Sequence, residues 1–424
     1  MLDIRLIREQ PEEVKERLTT RGGEESRLID QLLEIDRERR KGETEKQQLQ
    51  SDRKRISKEI GKLRSQGQDS SSIEAEVREI GEKIAALNEA VGSFDQRQED
   101  LLLSIPNLPH PECPVGLDET ANPEIRIWGE KPTFSFEPAD HLALGQKLGL
   151  LDFENAAKIA GSGYVVFTGA GAKLERALIQ YLLDLHTGDH DYTEVSPPFL
   201  IRRSSMVGTG QLPKFEEDMY GVEDGEVFLA PTAEVPVTNL FREEVFSQED
   251  LPIRRTAYTP CFRREAGSAG RESRGLIRMH QFDKVELVQV VRPEESFDLL
   301  ETLTGHAEKV LQDLGLHYRV IELCTGDLGF SAAKTYDIEV WAPGHGGYLE
   351  VSSCSNFLDY QARRMNLRFK DAETKKNRFC HTLNGSGTAL PRLYVALLET
   401  WQQEDGSIRI PDVLQPYFGS GEIR

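Results

Sequence analysis

Between Cys261 and Glu286 the chain reads CFRREAGSAGRESRGLIRMHQFDKVE. Arg263, Arg264, Arg271, Arg274 and Arg278 crowd around a Gly-Ser-Ala-Gly turn, with Arg255 just upstream, in a protein whose formal net charge is −20. Neighbouring guanidinium groups repel one another, so such a cluster calls for an anion, and the planar fork of arginine matches phosphate and carboxylate. A solvated charged hairpin is the competing explanation. The flanks argue against it. FRRE precedes the turn and the alternating KVELVQVV follows it, which reads as two strands joined by a basic, glycine-bearing loop. Such a pair makes a platform on which a nucleotide could be clamped.

Three further segments carry polar chemistry. In Leu349–Asn356, LEVSSCSN, strict strand alternation predicts Glu350 and Ser352 on one face and Val351 and Ser353 on the other. A carboxylate beside hydroxyls suits a hard cation such as Mg²⁺, although a polar strand end has the same composition. In His381–Arg392, HTLNGSGTALPR, small residues are expected to let the backbone approach a ligand, with Arg392 at a helix start behind Pro391. A turn carrying a surface arginine is the alternative. Pro231-Thr-Ala-Glu234 is uninformative alone. His141, His186, His190, His280 and His381 show no metal-ligand spacing, and His280 reads as structural. Neither a P-loop nor a dinucleotide-binding glycine fingerprint occurs.

These segments need a scaffold, and the texture of the chain supplies two. Residues 1 to about 20 read as one amphipathic helix with Pro11 at a helix start. From about Leu28 to Leu101 aromatics nearly vanish and apolar residues follow heptad steps: Ile73, Val77, Ile80, Ile84, Leu87, Val91, Phe94 and Leu101, with Gln98 in the remaining slot. The first half repeats this more weakly, with Arg39, Gly42, Lys46 and Arg53 at seam positions, and GQDSSS (67–72) separates the halves as a turn. An antiparallel helical hairpin about 50 Å long follows. Its first helix is basic, with 11 cationic against 5 anionic residues from Arg37 to Arg64, and its second is acidic, with 8 against 3 from Glu74 to Asp100. Mutual complementarity across the seam and contact with a phosphate backbone both account for that bias.

Pro106 and Pro109 mark a linker, after which the chain becomes α+β. EIRIWG, TFSF, YTEVSPPFLI, YRVIELCTG, TYDIEVWAP and GYLEVSSCS read as strands, and LERALIQYLLDLH, SFDLLETLTGHAEKVLQDLGL and LPRLYVALLETWQQ as helices. Hairpin-length links predict an antiparallel sheet with flanking helices. No apolar run reaches the roughly 20 residues of a membrane span, and the charged start lacks a secretory core. Five cysteines without a CxxC pair point away from disulfides and zinc and toward a reducing, cytoplasmic setting.

Taken in order, these segments resemble the class II aminoacyl-tRNA synthetases and, within them, the seryl-tRNA synthetase family of bacterial type. The likeness spans essentially the whole chain. VSPPFLI, with Pro198, resembles motif 1 (near 192–201), residues 261–286 motif 2, and GSGTALPR, ending at Arg392, motif 3 (385–400). GTGQLPKF (208–215), PTAE and HTLNGS resemble stretches peculiar to the seryl enzymes. Ala389 and Pro391 stand where many class II members have glycine.

The resemblance implies a tRNA-binding domain over 1–108, bearing the arm at about 28–101, and a catalytic domain over 109–424 built on an antiparallel sheet. It implies ATP-dependent activation of L-serine followed by transfer to the terminal ribose of tRNA(Ser), with tRNA(Sec) a further candidate, in a cytoplasmic homodimer with no membrane association. Catalytic roles fall to Arg263, Arg392 and Glu350. The serine site comprises Thr232, Ala233, Glu234, Arg263, Glu286 and Ser386. The ATP site comprises Arg263, Arg264, Glu265, Arg278, Phe282, Glu350, Val351, Ser352, Ser353 and Arg392, with Phe282 stacking on adenine. Glu350 and Ser353 are the implied Mg²⁺ ligands, and no zinc is expected. Arg271 and Arg274 are placed for the tRNA acceptor end. Two rivals fit less well: a relative that loads a carrier protein would lack the arm, and a noncatalytic RNA-binding relative would not keep Arg263, Glu286, Glu350 and Arg392.

Overall fold

The computed structural model describes residues 1–266 and 274–424. Contacts divide the chain into two compact units, one formed by Leu2–Thr19 and Gly23–Pro106, the other by Met1, Thr20–Gly22 and Asn107–Arg424.

The first unit opens with two helices rather than one, α1 (Ile4–Glu9) and α2 (Pro11–Thr19). Pro11 has no amide hydrogen and its ring clashes with the preceding turn, so Gln10 leaves helical geometry at φ −135°, ψ 55°. Helices α3 (Leu28–Ser65) and α4 (Ser71–Ser104) form the hairpin. Ile56, Ile80 and Ile84 are buried in its seam, packed by Leu49, Ile60, Ile73 and Val77. Gly42 is required there, since a Cβ would come 2.9 Å from Val91. Gln98 occupies its seam slot for a polar reason: it donates to Asp36 Oδ1 at 3.1 Å, while Arg8 grips the same carboxylate at 2.8 and 3.0 Å. Burial alone would raise the Asp36 pKa, but the bonds from Arg8 and Gln98 hold it below the usual range.

Charge complementarity across the seam is limited. Arg39–Asp95 and Arg64–Glu74 are the ion pairs between α3 and α4 among the described residues. Arg37, Arg40, Lys41, Arg53, Lys54 and Lys58 line shallow outer grooves of α3 and form no ion pair among the described residues.

The second unit is built on eight strands: β1 (Glu124–Trp128), β2 (Thr193–Glu194), β3 (Ile253–Phe262), β4 (Gln281–Val291), β5 (Tyr318–Glu322), β6 (Lys334–Ala342), β7 (Gly347–Asn356) and β8 (His381–Ala389). They lie in the order β1-β5-β6-β7-β8-β4-β3-β2. Every neighbouring pair is antiparallel except β2 with β3. Strand β2 is short because Pro197 and Pro198 soon end it. TFSF (133–136) is not a strand: Pro132 and Pro138 bracket it, and Phe134 and Phe136 pack on each other at 5.2 Å instead.

Helices α5 (His141–Lys147), α6 (Ala170–Gly188), α7 (Ser296–Asp313) and α8 (Leu390–Thr400) complete the frame used below. One face of the sheet packs on α6, α7 and α8. Val285, Leu287, Ile338, Leu383, Leu300, Leu303 and Leu393 share that core. Each such fully buried side chain contributes about 2 kcal/mol. The same contact explains the glycines of β8. A Cβ on Gly385 would lie 2.3 Å from Leu303, and one on Gly387 2.6 Å from His186 Nε2. These glycines admit helices on the core face. The close approach to a ligand expected from sequence is not their role. His186 Nδ1 meets His190 Nδ1 at 2.9 Å, and His190 stacks on His306 at 4.1 Å.

Candidate active site

The opposite face of the sheet floors a cleft of about 770 Å³. Alternation along β4 sends Val285 and Leu287 to the core and Phe282, Lys284 and Glu286 to the cleft. Two β-bulges adjust the neighbouring strands. On β7 the register passes from Ile338↔Ser352 to Glu339↔Glu350, leaving Val351 as the extra residue. On β8 it passes from Val285↔Thr388 to Glu286↔Ser386, leaving Gly387 extra. A bulge turns side chains that strict alternation would separate onto one face. Glu350, Ser353 and Ser355 therefore line the cleft together. Ser352, expected beside Glu350, instead donates to the Ser386 carbonyl at 2.6 Å and its side chain lies outside the cleft.

At one end of the cleft Arg263 sits with its guanidinium 5.2 Å from the Phe282 ring centroid, and its Nε donates to the Pro231 carbonyl at 3.3 Å. His280 Nδ1–H donates to the Arg263 carbonyl at 3.0 Å, so its role is to close the hairpin. Glu265 adopts φ +52° and pairs with Arg278 at 2.5 Å. A non-glycine residue in this region costs on the order of 1 kcal/mol, a strain typical of functional positions. Arg392, from the first turn of α8, donates to the Glu350 carbonyl at 2.8 Å and to the Ile277 carbonyl at 3.1 Å. Behind Glu350 and Ser353 lies Asp337, one of whose oxygens is buried without a hydrogen-bond partner. Burial and the nearby Glu350 charge hold the Asp337 carboxyl well above its ordinary range.

In the same cleft Glu286 is almost fully buried and ringed by donors. Lys284 Nζ lies at 2.6 Å, Asn384 Nδ2 at 3.1 Å, and the hydroxyls of Thr232 and Ser386 at 3.5 Å each. Glu234 faces the same space, held by Gln361 Nε2 at 2.6 Å. Burial first and the Glu286 charge second raise its pKa to about 7.

Thr232, Glu234, Arg263, Glu265, Arg278, Phe282, Glu286, Glu350, Val351, Ser353, Ser386 and Arg392 thus line one cleft. Ala233, fully buried in a small apolar cluster, and Arg264, exposed with its amide on the Asp218 carbonyl, do not. Arg271 lies outside the described residues, and Arg274 is exposed, 3.5 Å from Asp140. Sequence reasoning passed over Lys284, Asn384 and Gln361. The first two lie two residues before Glu286 and Ser386 on their strands, so period-2 alternation could have found them. Gln361, on the helix Tyr360–Met365, gave no signal.

Among the described residues no group of three or more His, Cys, Asp or Glu side chains forms a metal cage, and no helix is long and apolar enough to cross a membrane.

Comparison with known proteins fits this geometry. Residues 1–109 match the family model for the seryl-tRNA synthetase N-terminal domain, and residues 216–401 that for the class II tRNA synthetase core domain (G, H, P, S and T). A serine–tRNA ligase of Akkermansia muciniphila is 66% identical, covering 100% of this chain and 99% of its own. One from Geobacter sulfurreducens is 53% identical, with 99% of both chains covered. The crystal structure of seryl-tRNA synthetase from Pyrococcus horikoshii complexed with ATP superposes with a TM-score of 0.94 at 41% identity, covering 100% of this chain and 99% of that one. With both units matched and full-length relatives at this identity, the chain belongs to the seryl-tRNA synthetase family of class II aminoacyl-tRNA synthetases.

Proposed function

We propose that this chain is a serine–tRNA ligase whose cleft joins L-serine to ATP and then to tRNA(Ser). The carrying observation is the buried Glu286, ringed by Lys284, Asn384, Thr232 and Ser386, in the same cleft as Arg392.

ATP lies on the sheet with adenine between Phe282 and the Glu265–Arg278 pair, Arg263 at the α-phosphate and Arg392 at the γ-phosphate. A serine carboxylate oxygen attacks the α-phosphorus, the bond to the bridging oxygen breaks, and pyrophosphate leaves. A terminal ribose hydroxyl of the tRNA then attacks the carbonyl carbon, and AMP departs. The protein needs no covalent nucleophile, so its contribution is positioning and charge neutralisation, which explains a site dominated by arginine. Glu234 takes the serine ammonium and Glu286 its hydroxyl. A site built around a buried hydroxyl partner rejects an analogue without one by about 10⁴ to 10⁵.

Magnesium fits the Glu350 and Ser353 oxygens, and the buried Asp337 oxygen left without a hydrogen-bond partner behind them adds acceptor capacity that a cation would meet. When bound, the ion would neutralise phosphate charge.

The hairpin arm serves tRNA. The six groove-lining cations on α3 support contact with phosphates and shape, since the deep groove of double-helical RNA hides its base edges. Motif 1 builds a homodimer, supported by the exposure of Phe199 and Leu200. The setting is the cytoplasm.

ATP–pyrophosphate exchange across a panel of amino acids, followed by charging of total tRNA, tests the reading. Serine alone should drive exchange, and exchange with another amino acid in its place would overturn it. Charging of purified tRNA(Sec) decides whether that species is also served.

A further inference from the structure

Helix α8 carries Arg392 in its first turn and Glu399 in its last. A buried acid at a helix C-terminus opposes the helix dipole and bears a desolvation cost, so helix stability does not account for Glu399. Its partners do. Fully buried, Glu399 accepts the His141 backbone N–H at 2.9 Å, the His345 backbone N–H at 2.9 Å, and His141 Nδ1–H at 3.1 Å. With Nδ1 carrying the proton, His141 Nε2 is an acceptor, and it takes the Leu276 backbone N–H at 3.3 Å. Gln402, just past the helix, fixes Ala139 by bonds of 2.8 and 3.0 Å, so the segment bearing His141 is held in place.

Leu276 begins the returning arm of motif 2, two residues before Arg278. The next residue, Ile277, gives its carbonyl to Arg392 Nε at 3.1 Å. Both ends of one helix therefore grip adjacent residues: the N-terminal end holds Ile277 directly through Arg392, the C-terminal end holds Leu276 through Glu399 and His141. Gly275 shows how tight the contact is, with φ +65° and a Cβ that would lie 2.3 Å from His141 Nε2.

The geometry points to His141 as a positioning residue for ATP: with Glu399 it locks the motif 2 return segment to the motif 3 helix, so that Arg278, Phe282 and Arg392 hold one fixed spacing. His141 touches no reacting atom. Glu286 lies four residues beyond Phe282 on β4 and is held by its own partners, Lys284, Asn384 and Thr232, none of which contacts the clamp. The inference rests on the proposed ligase activity for its kinetic readout.

The test compares His141→Phe, which fills the space without an acceptor, with His141→Gln, whose amide oxygen can take the Leu276 N–H. In serine-dependent ATP–pyrophosphate exchange, His141→Phe should raise the KM for ATP about tenfold while the KM for serine stays within about twofold, and His141→Gln should recover most of the loss. Gly275→Ala, which pushes the segment off His141 from its partly exposed side, should reproduce the effect and decides the matter if His141→Phe does not fold. An unchanged KM for ATP in both His141→Phe and Gly275→Ala, or an equal rise for serine, overturns the clamp. Amide hydrogen exchange over residues 274–282 gives a readout free of activity: it should be slow in the parent chain and faster in Gly275→Ala, and equal rates refute the proposal. Absence of serine-dependent exchange in the parent chain would instead sink the ligase reading and leave the hydrogen-exchange result standing.

Discussion

Lys284 Nζ lies 2.6 Å from Glu286 Oε2, with the two side chains retaining 8% and 1% of their exposure. The residues are two apart on one strand and both face the cleft. Lys284 gives the buried Glu286 carboxyl group a charged partner at the proposed serine site. Breaking a buried pair by removing one partner costs about 3 to 5 kcal/mol, because the survivor is left uncompensated. Lys284→Met should therefore lower the melting temperature by several degrees in calorimetry. Glu286→Ala should abolish serine-dependent exchange, and near-normal exchange in that variant would remove Glu286 from the serine site.

Glu234 titrates near the working pH. Its pKa of about 7 arises from burial and from Glu286. Its carboxyl is neutral below that value and anionic above it, so its attraction for the serine ammonium strengthens as pH rises through 7. The KM for serine should fall between pH 6 and pH 8 in steady-state exchange. Glu234→Gln should raise that KM at pH 8 and flatten its pH dependence.

The arm should separate the two half-reactions. Deleting about residues 30 to 98 should leave serine-dependent exchange near the parent rate and eliminate charging of tRNA. Reversing Arg53, Lys54 and Lys58 together to Glu should weaken tRNA binding, with a shallower dependence on salt, since fewer phosphate contacts release fewer counterions. Equal loss of exchange and charging on deletion would contradict the assignment.

The histidines behind β8 make the fold sensitive to acid. Burial is the main cause that lowers His186 to about 3 and His306 to about 4. In the unfolded chain both bind a proton near 6.5, so the unfolded state takes up more protons below that pH, and stability is lost as pH falls from 6.5 toward 4. Thermal denaturation should show a melting temperature that drops across this window. His186→Asn, less stable at pH 7.5, should show a shallower drop.

How far the sequence carries depends on whether a feature is periodic. Heptad spacing located the hairpin, and alternation located β4, while Glu286 was singled out only through the family resemblance. Where Pro11 divides a helix, or Pro132 and Pro138 starve TFSF of donors, a covalent rule overrides the periodic one. Ser352 was misplaced because a bulge leaves no compositional trace: Val351 looks like any strand valine. The glycines at 385 and 387 were legible as close contacts, but which face was approached depends on Leu303 and His186, far away in sequence. Gln361 reaches Glu234 only because of tertiary packing.

The extra residue at Val351 gives the sheet a parity that point substitution leaves untouched. Removing that one codon would restore unbroken alternation along β7, and every downstream residue could keep its ladder partners. With Val351 gone Glu350 would directly precede Ser352, so plain alternation would keep the Glu350 carboxylate on the side of Ser353 and Ser355. The chemistry of this face is thus written in the number of residues between its landmarks as well as in their kinds, and the bulge residue is one whose deletion leaves the shared face of Glu350, Ser353 and Ser355 intact.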